Sequence, residues 1–242
     1  MEKCKASGIK YFEVPVAFDA TVIVVNNANS FLKQITVAEL KKIWEPSAQG
    51  KIKKWKDVNP AWPDKDLRLY GAGADSGTFD YFTEAIVGKA KSSRGDYTAS
   101  EDDNVLVKGV ASDVNALGYI PFSYYEANRQ AFRAVPVVNA TGTAVLPSAQ
   151  AVNDGTYAPL SRPLFLYISE KSYARSGIRE FVEFYLQNAL KLVAESKYVP
   201  LPEEAYGLGL KHILEGKVGT AFGGHSQVGL KIKDLKAKEK SL

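Results

Sequence analysis

The stretch at residues 67–87 constrains the fold most, because it combines a strand, a glycine-rich turn and a helix in immediate succession. Leu67 and Leu69 alternate with polar residues, as in a half-buried strand. A turn rich in glycine and small polar residues follows. Apolar residues then recur every three to four positions, the helical period, at Phe79, Phe82 and Ile86.

The start of this predicted helix has the chemistry of a site for a small oxyanion. Asp75 or Ser76 suits the N-cap, where a side-chain oxygen accepts a backbone N–H of the first turn. The remaining N–H groups point outward at the positive end of the helix dipole. Gly77 allows close approach to the backbone, and Ser76 and Thr78 add hydroxyl donors. The local sequence is equally compatible with a well-capped helix that binds nothing.

Three other functions of a glycine-rich turn do not fit the spacing. Counted from Gly71, the sixth position is Ser76, so the dinucleotide-binding fingerprint fails. A phosphate-binding P-loop requires a lysine within the loop, and this one has none. The nucleophile elbow of serine hydrolases needs Gly-x-Ser-x-Gly, whereas Ser76 lies in Ala-Asp-Ser-Gly-Thr. We therefore predict a site that binds an anion without reacting with it, and a protein that is not an enzyme.

Composition narrows the class of ligand. The chain has 242 residues, of which 45% are apolar and 24% charged, enough for one large domain or two small ones. Its net charge of +4 suits a small anion but is too weak to indicate a nucleic-acid partner. With one cysteine, Cys4, and two histidines, His212 and His225, we predict no metal site and no cofactor.

Strands alternating with helices predict an α/β fold with mostly parallel sheets. Two long apolar strands, at residues 16–25 and 163–169, are interpreted as crossovers between two lobes. One lobe would comprise residues 1–20 and 161–242, and the other residues 21–160. Pro15 and the Phe18-Asp19 step are expected to break the first apolar stretch in two, leaving residues 21–25 as a buried parallel strand. The ligand would bind in the cleft, near Ser76.

Four motifs in this order carry a family resemblance: YGAGADSGTFDYFTEAIVG, SRGDYTASEDDNVLVKGV, ALGYIPFSYYEAN and RPLFLYIS. From about Cys4 to Gly229, the chain resembles the periplasmic phosphate-binding proteins of high-affinity phosphate ABC transporters. The resemblance implies a type II periplasmic-binding fold, in which two lobes joined by two crossover strands close on the ligand. It also implies a periplasmic monomer whose partners are inorganic phosphate and the membrane permease subunits of the transporter.

The same resemblance implies which residues bind phosphate. The family's Ser-Gly-Thr falls on Ser76, Gly77 and Thr78, whose hydroxyls and N–H groups would bind phosphate oxygens. Much of the family has an arginine shortly before that serine, and here glycine and alanine occupy the place. We expect Arg94 to supply the guanidinium instead, with Asp75 holding it; a surface position for Arg94 is the alternative.

The start of the chain is expected to depart from the family. In the family, a segment precedes the point that corresponds to Met1 and provides a signal peptide, a first strand and helix, and a carboxylate that accepts a hydrogen bond from protonated phosphate. We expect this segment to be missing, which would leave the lobe built from the chain ends incomplete. Two other functions stay open: a truncated structural or interaction protein that does not bind, and a phosphate-ester hydrolase that uses Ser76 or Thr78.

Overall fold

The computed structural model describes residues 2–223 and 230–240, which form two compact units. The first unit comprises Met1–Asp19, Val152–Gly155 and Ser161–Leu242, and the second comprises Ala20–Ala151 and Thr156–Leu160. The predicted lobes differ from these units only at residue 20 and residues 152–155. His225 and the end of the resemblance at residues 226–229 lie outside the described residues. Within those residues, no helix is both long and apolar enough to cross a bilayer.

Strands and helices alternate along most of the chain, so the predicted α/β class is confirmed. The strands are β1 (Tyr11–Val25), β2 (Ile35–Thr36), β3 (Arg68–Ala72), β4 (Thr98–Ser100), β5 (Ala116–Pro121), β6 (Arg133–Ala134), β7 (Val137–Val138), β8 (Ala144–Val145) and β9 (Ser161–Ser169). The helices are α1 (Glu2–Ala6), α2 (Val37–Trp44), α3 (Trp55–Val58), α4 (Gly77–Val87), α5 (Asp103–Ser112), α6 (Phe122–Ala127), α7 (Ala149–Asn153), α8 (Glu170–Tyr173), α9 (Ser176–Glu195), α10 (Glu203–Leu214) and α11 (Ile232–Lys240).

Strand β1 is continuous over 15 residues, so the predicted break at Pro15 and Phe18-Asp19 is wrong. Around that point the backbone finds partners that keep it extended. In the first unit, Phe18 and Val199 exchange both of their backbone hydrogen bonds, at 2.8 and 3.0 Å. In the second unit, the N–H of Thr21 donates to the carbonyl of Leu160 at 2.8 Å. These partners are distant in sequence, which is why local turn signals mislead here.

The main sheet of the second unit has the strand order β4-β3-β5-β1-β6, and it is mixed rather than mostly parallel. Strand β3 is parallel to β4 and β5, whereas β1 is antiparallel to both β5 and β6. Residues 21–25 are buried as predicted but do not form a parallel strand. Apolar residues on both faces of a strand indicate that both faces are buried, as is common in parallel sheets. They do not show whether the strand runs parallel or antiparallel to its neighbours. Strands β2, β7 and β8 form a small second sheet.

An aromatic cluster joins helices α2 and α4 to strand β5 in the second unit. The rings of Phe82 and Tyr119 are stacked with centroids 3.9 Å apart. The indole of Trp44 meets both rings edge-on, at 5.5 and 4.8 Å. All three side chains are at most 1% exposed. Offset and edge-to-face contacts add to the stabilisation from apolar burial, so the cluster holds α4 firmly against the sheet.

The first unit pairs β9 with β1 and packs α9 against α10. Its apolar core contains Phe12, Val14, Val16, Ile168, Val182, Leu186 and Ile213. The first unit also contains a buried acidic residue of α11, Glu239, which is 1% exposed. Its Oε2 lies 3.2 Å from Nδ1 of His212. Burial and the nearby Glu13 carboxylate raise the pKa of Glu239 to about 7, and burial lowers the pKa of His212.

We predict that Glu239→Gln raises the thermal unfolding midpoint more at pH 8 than at pH 5. Because the pKa of Glu239 rises from 4.5 to about 7 on folding, its stability contribution is fully present below pH 4.5 and is lost as pH rises through 7. The loss amounts to about 3 kcal/mol at most, and a neutral glutamine avoids it.

The unfolding midpoints of the wild-type protein and of Glu239→Gln are measured by thermal melts at pH 5 and pH 8. Glu195→Gln, at an exposed carboxylate of α9, is the control. An equal effect of Glu239→Gln at pH 5 and pH 8 would contradict the prediction.

Candidate functional site

The candidate site lies where three parallel strands of the second unit end. Strands β3, β4 and β5 run in the same direction, so their carboxyl ends share one edge of the sheet. The predicted turn follows β3, Glu101 follows β4, and α6 begins directly after β5. Ligands of α/β proteins bind characteristically outside the carboxyl ends of the strands. The edge is therefore the natural place for a small-molecule site in this unit.

The predicted strand, turn and helix over residues 67–87 are confirmed as β3 and α4, and Ser76 is the N-cap. The Ser76 Oγ accepts the N–H of Thr78 at 3.1 Å. Within the part of the chain that the structure describes, the N–H groups of Gly77 and Phe79 have no hydrogen-bond partner, as expected for a first helical turn. Gly77 is exposed and Ser76 is partly exposed, whereas Thr78 and Phe79 are buried, so the start of α4 reaches solvent at Ser76 and Gly77.

Backbone hydrogen bonds give the turn a defined shape. The N–H of Gly73 donates to the carbonyl of Ser100 at 3.0 Å, which ties the end of β3 to the end of β4. The N–H of Ser76 donates back to the carbonyl of Gly73 at 3.1 Å. The intervening N–H of Asp75 donates to Oε1 of Glu101 at 3.1 Å. The turn is thus held by three hydrogen bonds before the helix begins.

Two glycines in this stretch have side chains of other residues very close to them. A Cβ on Gly71 would lie 2.4 Å from the ring of Tyr119, and one on Gly73 would lie 2.1 Å from Oε1 of Glu101. Both distances are far shorter than any van der Waals contact, so a side chain at either position would displace the neighbour. Neither glycine is among those with positive φ. Their role is therefore to admit two particular side chains.

Two tyrosine hydroxyls hold the last carbonyl of β3. The hydroxyls of Tyr97 and Tyr119 donate to the carbonyl of Ala72, at 3.0 and 3.3 Å. Burial raises the pKa of both phenols, so they remain neutral donors at physiological pH. Neither tyrosine, nor Glu101, was predicted from the sequence. Nothing in their local pattern marks them, because each contacts the turn from another part of the chain.

Arg94 occupies a different environment from the one predicted. Its side chain is buried, with the whole residue 4% exposed. Nε and Nη2 donate to the carboxylate of Asp96 at 2.5 and 2.9 Å. Nη1 donates to the carbonyls of Ile43 and Ile52 at 3.1 and 3.0 Å. The guanidinium therefore closes the last turn of α2, and the structure does not leave it free to clamp an anion.

The predicted support of Arg94 by Asp75 is wrong, and so is the alternative of a surface arginine. Asp96 holds the guanidinium, and the Arg94 hydrogen bond lowers the pKa of Asp96 to about 2. Asp75 is exposed and bonds to Glu101 through its backbone N–H. The structure therefore places Asp75, Ser76, Gly77 and Thr78 together at the turn and gives Arg94 a structural role. Among the described residues, no group of three metal-ligating side chains is present.

Comparison with known proteins places the chain in a family. Residues 2–189 match the family model described as a PBP superfamily domain. The chain is 50% identical over 235 residues to protein SphX of Synechococcus elongatus, which covers 97% of this chain and 69% of SphX. The chain belongs to the PBP superfamily.

Two solved structures are similar as well. A possible phosphate binding protein from Planctomyces limnophilus has 42% identity and a TM-score of 0.77, covering 89% of this chain and 76% of that one. A putative phosphate ABC transporter substrate-binding protein from Clostridium perfringens, solved with bound phosphate, has 25% identity and a TM-score of 0.64, covering 84% and 76%. The predicted resemblance to phosphate-binding proteins of ABC transporters is confirmed.

We predict that Arg94→Ala lowers the free energy of unfolding by about 3 kcal/mol, because it strips Asp96 and two carbonyls of a charged donor. Denaturation in urea measures the change. Arg68→Ala is the control, because Arg68 is an exposed arginine whose side chain bonds to Asp66. If both variants lose the same small amount of stability, Arg94 does not have the structural role assigned to it.

Proposed function

We propose that this chain is the substrate-binding component of a phosphate ABC importer and that it binds inorganic phosphate reversibly at the start of α4. The observation that carries the proposal is the first turn of that helix, which is exposed at Gly77. Among the described residues, the N–H groups of Gly77 and Phe79 in this turn have no hydrogen-bond partner. Two similar solved structures support the proposal: one is a possible phosphate binding protein, and the other is a putative phosphate ABC transporter substrate-binding protein solved with bound phosphate.

The proposed site binds the anion with neutral donors. The N–H groups of Gly77 and Phe79 and the hydroxyls of Ser76 and Thr78 would donate to phosphate oxygens. The partial positive charge at the helix N-terminus adds a favourable field. Arg94 is not included, because its guanidinium already bonds to Asp96 and two carbonyls.

Binding without reaction fits the state of the serine in this turn. The Ser76 hydroxyl oxygen already accepts the N–H of Thr78, which suits an N-cap rather than a nucleophile. In the proposed role the protein acts in the periplasm, takes up phosphate, and delivers it to the membrane permease of the transporter. Release then requires only that the hydrogen bonds to the oxygens be exchanged for water.

We predict that Ser76→Ala weakens phosphate binding about tenfold or more, because it removes a hydroxyl donor and loosens the first turn of α4. Isothermal titration calorimetry of ligand-stripped protein with phosphate measures the affinity. Ser169→Ala is the control, because Ser169 is the serine N-cap of α8 in the first unit, where its Oγ accepts the N–H of Ser172. It should leave the phosphate affinity unchanged.

Two results would contradict the proposal. One is the absence of any saturable heat when the wild-type protein is titrated to millimolar phosphate. The other is phosphate binding that Ser76→Ala and Ser169→Ala leave equally intact.

A further inference from the structure

Glu101 brings a carboxylate against the turn that precedes α4. It follows β4 directly, and its Oε1 accepts the N–H of Asp75 at 3.1 Å. Asp75 immediately precedes the Ser76 N-cap. The carboxylate therefore holds the backbone one residue before the helix begins, at the point that sets the direction of the first unpaired N–H groups.

The Glu101 carboxylate occupies the space next to Gly73 that a side chain at position 73 would need. A Cβ on Gly73 would lie 2.1 Å from Glu101 Oε1 and 2.7 Å from its Cδ. Any residue other than glycine at position 73 would push the carboxylate out of this position. The neighbouring hydrogen bond from Gly73 to the Ser100 carbonyl holds the same two segments together.

The negative charge of the Glu101 carboxylate is unexpected next to a site for an anion. A carboxylate near an anion site opposes binding through repulsion, so its presence there needs a compensating role. An ionised acceptor forms a stronger hydrogen bond with an N–H than a neutral acceptor does. Here that stronger bond restrains a turn in which Gly73 contributes no side chain of its own.

We propose that Glu101 is a positioning residue for the anion-binding turn. Its carboxylate fixes the backbone at Asp75 so that the N–H groups at the start of α4 converge on one point, and Gly73 is the glycine that admits it. This inference rests on the proposed function, because the bound anion is taken to be phosphate. The Glu101 side chain therefore has two opposite effects on phosphate binding. Its hydrogen bond to the Asp75 N–H favours binding, and its negative charge opposes binding.

A pair of substitutions separates the two effects. Glu101→Ala removes both, and we expect it to weaken phosphate binding about tenfold, since a hydrogen bond to a charged group is lost. Glu101→Gln keeps an oxygen acceptor and removes the charge, so we expect wild-type affinity within about threefold, or tighter binding. Gly73→Ala should weaken binding as Glu101→Ala does, and the double variant should lose little more than either one.

Glu84→Ala, which removes a carboxylate from the middle of α4, is the control for a general change in charge. Calorimetry with inorganic phosphate measures the affinities. If Glu101→Ala binds phosphate as tightly as the wild-type protein, or if Glu101→Gln is as weak as Glu101→Ala, the positioning role is overturned.

Hydrogen exchange of the Asp75 amide without phosphate tests the role independently of the ligand. We expect exchange to become faster in Glu101→Ala, but not in Glu101→Gln or Glu84→Ala. If this pattern is found and the wild-type protein binds no phosphate, the proposed function fails and the positioning role stands. If exchange is unchanged in Glu101→Ala, the positioning role fails whether or not phosphate binds.

Discussion

The contacts at the end of β3 position the turn and the helix α4 that follow it. The carbonyl of Ala72 accepts two tyrosine hydroxyls, from Tyr97 and Tyr119, and the stacked ring of Phe82 connects Tyr119 to α4. The strand end and the helix are therefore packed against the same aromatic side chain. Because Gly71 leaves room for that ring, a change at this one position would disturb both elements.

The anion site proposed at the start of α4 does not use the guanidinium of Arg94. The buried guanidinium of Arg94 binds Asp96 and the carbonyls of Ile43 and Ile52, so it stabilises α2 and its neighbouring loops. The donors proposed at the start of α4 are neutral N–H and hydroxyl groups. Their contribution to anion binding depends on how they are oriented toward the anion rather than on a net charge. A site of this kind works only when the turn before the helix is rigid.

Sequence patterns predicted the parts of the site that are local. The N-cap at Ser76 and the helix after it follow from side-chain chemistry and a periodicity within about 20 residues. Asp75 was predicted as the partner of Arg94 on the assumption that Arg94 reaches the anion-binding turn, but the guanidinium instead bonds to Asp96, two residues away. The local sequence does not show which way the Arg94 side chain points. Glu101 and Tyr119 were not predicted, because they contact the end of β3 and its turn from neighbouring strands of the sheet that are distant in sequence. The antiparallel direction of β1 was not predicted, because the burial pattern of a strand does not depend on its direction.

The central claim is that the first turn of α4 binds phosphate through its unpaired N–H groups. The most direct test is a titration of ¹⁵N-labelled, ligand-stripped protein with phosphate, followed through its amide resonances. The account predicts saturable downfield shifts at Gly77 and Phe79, with Gly88 at the other end of α4 little changed because its N–H already donates to Thr83 and Glu84. Saturable binding that leaves the amides of Gly77 and Phe79 unshifted would contradict it.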